Sequence, residues 1–319
     1  MKRSLRNLAV VAAFIVAPVQ ACDYCLMNQG ISPLQTQTGS GLRVAYRYTR
    51  LNSVYKGSNE VDNPGVREEY ETTELSGFTA LTDRFMALVT VPIRKTDGDG
   101  ELVEGPTGDL EREDSTGGAD GLGDVSLLGR YTLQSTHTLD STTLFAAVLG
   151  IKLPTGSTNQ HNDQGEYLDS HLQPGTGSTD VLFGFSASHA VGRFALSANL
   201  LASFAGEGEA GSDRHQFGNS VNYDVTGKYR IAPGVAGESA NALFLSLGLN
   251  GESRAKEKLN GDEVPDSGGH TLFITPGVQY TVGSRWVLEA TWQYAFYQHL
   301  NAAQLGDDYR LSGAVTWLF

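Results

Sequence analysis

The sequence predicts an all-β protein: a transmembrane antiparallel β-barrel of about twelve strands, preceded by a signal peptide. Runs of about ten residues with apolar side chains at alternate positions follow one another from Gly41 to Phe319. The connections between these runs alternate between longer and shorter. No later stretch approaches the ~20 apolar residues of a membrane helix. Only a closed barrel hides its backbone polar groups from lipid without helices.

The first 21 residues have the pattern of a secretory signal. Basic residues come first, an apolar stretch follows from Leu8 to Ala17, and small residues precede Cys22. The full chain has a formal net charge of −13, and removal of Lys2, Arg3 and Arg6 leaves a more negative mature chain. We therefore divide the chain into a signal peptide (1–21), an N-terminal segment (22–39) and an outer-membrane barrel (40–319).

The N-terminal segment contains both cysteines, Cys22 and Cys25. Three interpretations stay open in an oxidising compartment: a local disulfide, lipidation of Cys22, and a metal or redox role. A c-type haem site is excluded because Leu26 stands where that site needs histidine. The segment itself is interpreted either as a loose periplasmic tail or as a small plug inside the lumen.

The first three strands are expected near 41–51, near 69–81, and after a tight turn at 82–84. The second shows no clear apolar stripe, whereas the others have the two unlike faces of a strand with a period of two. The apolar stripes of the first and third are Leu42, Val44, Tyr46 and Tyr48, and Phe85, Ala87, Val89, Val91 and Ile93.

Nine further strands follow with the same period. The apolar stripes of the next four run from Val125 to Leu133, Phe145 to Leu153, Val181 to Ala187, and Phe194 to Phe204. Those of the last five run from Val221 to Ile231, Leu243 to Leu249, Leu272 to Tyr280, Trp286 to Phe296, and Tyr309 to Phe319. The final strand resembles the C-terminal assembly signal of outer-membrane barrels, which implies the barrel assembly machinery as a partner.

The longer connections include 52–67, 95–121, 154–178 and 299–307, and the shorter ones include 82–84 and 191–193. Long outer loops and short periplasmic turns are typical of outer-membrane barrels. Segment 95–121 is acidic and lacks a complete calcium-loop pattern, so we expect a solvated loop rather than a Ca²⁺ site. Such a loop would make the mouth weakly cation-selective at low salt.

Two arguments place the apolar stripes toward lipid. A barrel of twelve strands is too wide to be filled as a dry core, a state typical of about eight strands. A cation at mid-bilayer costs ~2–4 kcal/mol. We therefore expect the opposite faces to line a pore, with charges of both signs pairing across it. The candidate pore-lining residues are Arg43, Arg47, Asp124, Arg130, Lys152, Asp180, Asp224, Lys228, Arg230, Glu289 and Arg310.

Several short stretches carry a resemblance to a known family. They are Leu81–Arg84 with Val89–Pro92, Gly121–Val125, Leu149–Gly156, Pro174–Asp180 and Thr275–Tyr280. Their order and spacing, from about 75 to 319, resemble the outer-membrane barrels of the MetA-pathway of phenol degradation family. The resemblance implies a barrel that passes small, often aromatic or hydrophobic, compounds.

No catalytic or metal pattern is evident. His161, Asp163 and His171 share one loop and Asp213 lies near His215, but no His-Glu-x-x-His run or paired Cys-x-x-Cys site exists. We therefore expect no enzyme activity, metal, cofactor or nucleic-acid partner. The predicted function is passive passage of a small solute through the bacterial outer membrane. The alternatives are a structural or adhesive barrel with a closed lumen, and a barrel hydrolase.

Overall fold

The computed structural model describes residues 39–106, 108–210, 213–233 and 241–319. The predicted signal peptide, Cys22, Cys25 and the plug or tail of residues 22–38 lie outside the described residues. No helix in these ranges is long and apolar enough to cross a membrane. The strands are β1 (Ser40–Gly57), β2 (Asn59–Val61), β3 (Arg67–Ala80), β4 (Phe85–Glu104), β5 (Leu110–Leu122), β6 (Val125–His137), β7 (Ser141–Leu153), β8 (Asp180–Val191), β9 (Phe194–Phe204), β10 (Gly208–Ala210), β11 (Asp213–Gln216), β12 (Ser220–Ala232), β13 (Ala242–Arg254), β14 (Lys258–Leu259), β15 (Asp262–Glu263), β16 (Gly269–Val282) and β17 (Trp286–Leu318).

The main sheet closes on itself and forms the predicted antiparallel barrel. Its order is β1-β3-β4-β6-β7-β8-β9-β12-β13-β16-β17, and β17 then pairs with β1. The closing register runs from Gly41 opposite Leu318 to Gly57 opposite Leu300. A closed ring leaves no unpaired strand edge, so every spanning segment can satisfy its backbone polar groups within lipid.

The strand β17 crosses the barrel wall twice. It contains 33 residues, of which Trp286–Leu300 pair with β16 and Leu300–Leu318 pair with β1. The chain reverses close to Ala302, whose φ is 52°. The eleven strands of the ring therefore make about twelve crossings, consistent with the predicted number. The loop predicted at 299–307 is wrong, because the reversal is tight and strand pairing continues to its edge.

The predicted loop at 95–121 is also wrong. This segment is a β-hairpin in which β4 continues to Glu104 and β5 returns from Leu110. The loop predicted at 52–67 is shortened in the same way, because β1 continues to Gly57. Above the bilayer a strand needs no lipid-facing apolar stripe, so strand pairing persists where the periodic signal in the sequence has ended.

The two faces of the barrel wall agree with the predicted assignment. Lipid-side residues such as Leu42 and Leu247 are 52% and 56% exposed, whereas their neighbour in the pattern Arg43 is 7% exposed. At the end with the short turns, the rings of Trp286 and Trp317 lie 6.1 Å apart and Phe319 lies 4.9 Å from Trp317. Aromatic rings at this depth are typical of the membrane interface.

Deletion of Phe319 is expected to lower the amount of assembled barrel in cells. Its backbone N–H donates to the Ser40 carbonyl at 3.0 Å, so the residue completes the seam where the two chain ends meet. The measurement is the heat-modifiable folded band in outer-membrane fractions. Leu139→Ala is the matched control, because Leu139 is a fully exposed apolar residue in a short turn. Wild-type levels after the deletion would contradict the role of the terminal residue.

Candidate functional site

The interior of the barrel contains the residues predicted to line a pore. Ten of the eleven are buried: Arg43, Arg47, Asp124, Arg130, Lys152, Asp180, Asp224, Lys228, Glu289 and Arg310. Arg230 is only half-buried and its Nη2 donates to the Gly192 carbonyl at 3.3 Å, in a short turn. The polar set therefore faces inward except at this rim, and its part in solute passage stays a prediction.

Lys152 is held between two carboxylates near the outer end of β7. Its Nζ lies 2.8 Å from Asp180 Oδ2 and 3.3 Å from Asp124 Oδ2. Asp124 also accepts hydrogen bonds from the backbone N–H of Gly156 at 3.0 Å and of Thr176 at 2.9 Å. Since Gly156 and Thr176 lie at the two ends of the connection between β7 and β8, this buried cluster fixes that connection to the barrel wall.

Arg310 binds two acids that the sequence reasoning did not select. Its Nε and Nη2 donate to Asp307 at 2.9 and 2.8 Å, and Nη2 also lies 3.2 Å from Glu252. The guanidinium carbon lies 4.5 Å from the ring centre of Phe273. Both acids fell in predicted loops, so their inward orientation carried no periodic signal.

A polar wall covers one side of the lumen, on β12, β13, β16, β17 and β1. We define it by Asp224, Lys228, Asn250, Gln279, Glu289 and Arg43, all of which are buried. Arg43 lies 3.7 Å from Glu289, and Lys228 donates to Gln279 at 3.1 Å. Charges on this wall are thus paired or hydrogen-bonded, which lowers the cost of removing them from water.

An inner apolar strip covers the other side of the lumen. It consists of Phe78, Met86, Leu88, Leu128, Val148, Leu182 and Leu201 on β3, β4, β6, β7, β8 and β9, all buried and in mutual contact. The predicted alternation placed apolar residues outward and did not identify this strip. Its only signal in the sequence is a few apolar residues within otherwise polar alternate sets.

The strand registers align the strip across neighbouring strands. Phe78 lies opposite Leu88 and Leu88 opposite Leu128, and Leu128 and Leu182 both lie opposite Gly150 on β7. A Cβ added to Gly150 would lie 2.8 Å from a Leu128 methyl carbon, so the leucine covers the glycine. Because barrel strands tilt by roughly 35–45°, a row along the hydrogen-bonding direction runs obliquely up the lumen.

The outer mouth of the barrel is filled by the connection between β7 and β8, residues 154–179, which we call the mouth loop. Its Leu168 and Leu172 are buried in one cluster with Leu51, Tyr70 and Leu305 on the barrel wall. Thr96 Oγ1 donates to the Leu172 carbonyl at 2.6 Å. The loop therefore folds inward, whereas the sequence predicted only a long outer connection.

Three ionisable residues from separate outer connections also meet at the mouth. Glu257 Oε2 lies 3.0 Å from the Nε2 atoms of both His171 and His215. Burial lowers the pKa of His171 well below its ordinary value, and His215 lowers it further. His171 is therefore neutral at physiological pH and forms no ion pair with Glu257. The sequence gave no metal-binding pattern because these residues are far apart in the chain.

Comparisons with solved structures identify the same barrel architecture. An outer membrane channel from Pseudomonas putida F1 is 16% identical, with a TM-score of 0.67, covering 89% of this chain and 97% of that one. The β-domain of the Bordetella autotransporter BrkA is 11% identical, with a TM-score of 0.44 and coverages of 88% and 100%. The CymD monoaromatic hydrocarbon channel is 11% identical, with a TM-score of 0.40 and coverages of 90% and 90%.

No curated protein matches the chain significantly. The sequence profile of one family, described as "Putative MetA-pathway of phenol degradation", matches residues 47–305. This match extends from the upper half of β1 to the final reversal in β17, and so includes both walls of the lumen and the mouth loop. By this match, which covers most of its length, the chain belongs to the family of the MetA-pathway of phenol degradation.

Proposed function

We propose that the protein is an outer-membrane channel for passive diffusion of small solutes that have an apolar or aromatic part. The observation that carries the proposal is the inner apolar strip opposite the polar wall. Apolar contact stabilises a bound solute by ~25 cal/mol per Å² removed from water. A series of such contacts is weak enough at each position to let the solute move on, as conduction requires.

Two further findings support this function. The solved structure with the most similar architecture among those described above is itself an outer membrane channel, and the family description refers to degradation of a small aromatic compound. The strip extends over six neighbouring strands, so an aromatic ring can keep apolar contact as it moves along the lumen. The polar wall can meanwhile hydrate or bind a polar substituent.

A structural barrel with a closed lumen is the second candidate, and one observation favours it. The mouth loop packs Leu168 and Leu172 against the barrel wall with little space between them. Passage through the outer mouth therefore requires this loop to move. The two candidates differ in whether the full chain conducts solute at all.

A preference for aromatic solutes tests the channel. Proteoliposomes with the full mature chain are expected to swell faster in benzyltrimethylammonium than in tetraethylammonium, because the two cations have equal charge and only one has a ring. Leu128→Asn is expected to reduce this preference about threefold to tenfold, equivalent to ~1 kcal/mol of lost apolar contact. The measurement is the initial swelling rate relative to empty liposomes.

Leu128→Met is the matched control, because it keeps an apolar side chain of similar volume and is expected to keep the preference. Equal preference in both variants would refute the role of the strip. Swelling no faster than that of empty liposomes, for protein shown to be folded, would favour the closed structural barrel.

A further inference from the structure

The three residues at the outer mouth come from three different connections. His171 lies in the mouth loop, His215 lies on β11, and Glu257 lies between β13 and β14. Their side chains offer nitrogen and oxygen atoms within 4.8 Å of one another. All three side chains are buried, with exposures of 5%, 2% and 1%. The cluster lies outside the proposed solute-binding strip and is absent from every function derived so far.

We propose that His171, His215 and Glu257 form a binding site for a divalent first-row transition metal, with Zn²⁺ as the best fit. Two imidazole nitrogens and one carboxylate oxygen are a common zinc ligand set, with bonds of about 2.0–2.2 Å. Tetrahedral bonds of that length separate neighbouring ligand atoms by about 3.3 Å. The observed separation of Glu257 Oε2 from each Nε2 is 3.0 Å, so a small closure or opening of the rings admits the ion.

Unsatisfied polar atoms point to a ligand at the same place. His171 Nε2 and Glu257 Oε1 are both buried without a hydrogen-bond partner among the described residues. Leaving a buried polar atom unpaired costs roughly 1–3 kcal/mol. A metal ion would satisfy the His171 nitrogen and would balance the buried carboxylate. A purely hydrogen-bonded trio would satisfy His215 but leaves this nitrogen without good geometry.

The surroundings hold the three ligands in place. The ring of Phe217 packs edge-on against His171 at 5.1 Å and against His215 at 4.4 Å. The Glu257 backbone N–H donates to Ser267 Oγ at 2.8 Å, and its carbonyl accepts from Val264 at 2.9 Å. A bound metal would tie the mouth loop to two other outer connections. Its consequence for gating rests on the proposed channel function, but metal binding itself does not.

Metal content of the folded barrel tests the site. The full mature chain, refolded and dialysed against ZnCl₂ and then against metal-free buffer, is expected to retain about one Zn²⁺ per chain. His215→Ala and Glu257→Gln are each expected to lose this ion or to bind it at least ~10-fold more weakly. The control is His161→Ala, because His161 is exposed and lies in the same loop as His171. Heat-modifiable mobility confirms that each variant is folded.

A second measurement covers variants that fold poorly. Limited proteolysis of the mouth loop in the wild-type barrel is expected to be several-fold slower with Zn²⁺ than with a chelator, because the metal links three connections. Zinc retention by both ligand variants, equal loss in His161→Ala, or no retention by the folded wild type would each overturn the proposal. None of these outcomes depends on solute transport, so failure here is distinct from failure of the channel.

Discussion

Leu247→Arg is expected to prevent assembly of most of the barrel. Leu247 lies in the middle of β13, points to lipid and is 56% exposed. An arginine at the bilayer midplane costs ~2–4 kcal/mol, a large fraction of the ~5–15 kcal/mol by which folded proteins are typically stable. The measurement is the heat-modifiable folded fraction in outer-membrane preparations.

Ser246→Arg is the matched control, since the same side chain is placed one residue away on the lumen side. Ser246 is half-buried and lies opposite Lys228 on β12 and Gly277 on β16. The new charge would remain in the polar interior, so this variant is expected to assemble far better despite the nearby lysine. Equal loss of folded protein in both variants would show that the two faces of β13 are wrongly assigned.

Removal of residues 160–173 from the mouth loop is expected to raise single-channel conductance roughly threefold or more, because it removes the apolar residues that fill the outer mouth. The ends of the deletion lie close together in the fold. Gln160 N–H donates to Gln173 Oε1 at 2.9 Å, and Gln173 Nε2 donates to the Gln160 carbonyl at 3.0 Å. The Lys152 cluster outside the deleted segment continues to fix the loop ends.

The control for this deletion is Leu172→Met, which keeps an apolar side chain of similar volume at the mouth and is expected to leave conductance unchanged. A planar bilayer provides the measurement for both. If the deletion does not raise conductance, the mouth loop is not the barrier. Comparison with a deletion of residues 23–38 would then decide whether the N-terminal segment closes the lumen from the periplasmic side.

The sequence alone determined the wall of the barrel. Lipid on one side and a polar interior on the other force apolar and polar residues to alternate, and this period of two is readable in each spanning strand. That is why Leu42, Leu247 and Val315 were placed outward and Arg43, Lys152 and Arg310 inward before the structure was known, as their exposures agree. The terminal strand was likewise evident, because its alternation continues to Phe319.

The tertiary structure decided what lies inside that wall. The inner apolar strip depends on registers that bring Leu88, Leu128 and Leu182 into line across strands distant in sequence. The inward fold of the mouth loop depends on buried contacts with β1, β3 and β17. His215 and Glu257 are 42 residues apart, and nothing local brings them together. Alternation records only which side of a strand meets lipid, whereas contacts across the lumen arise only when the ring closes.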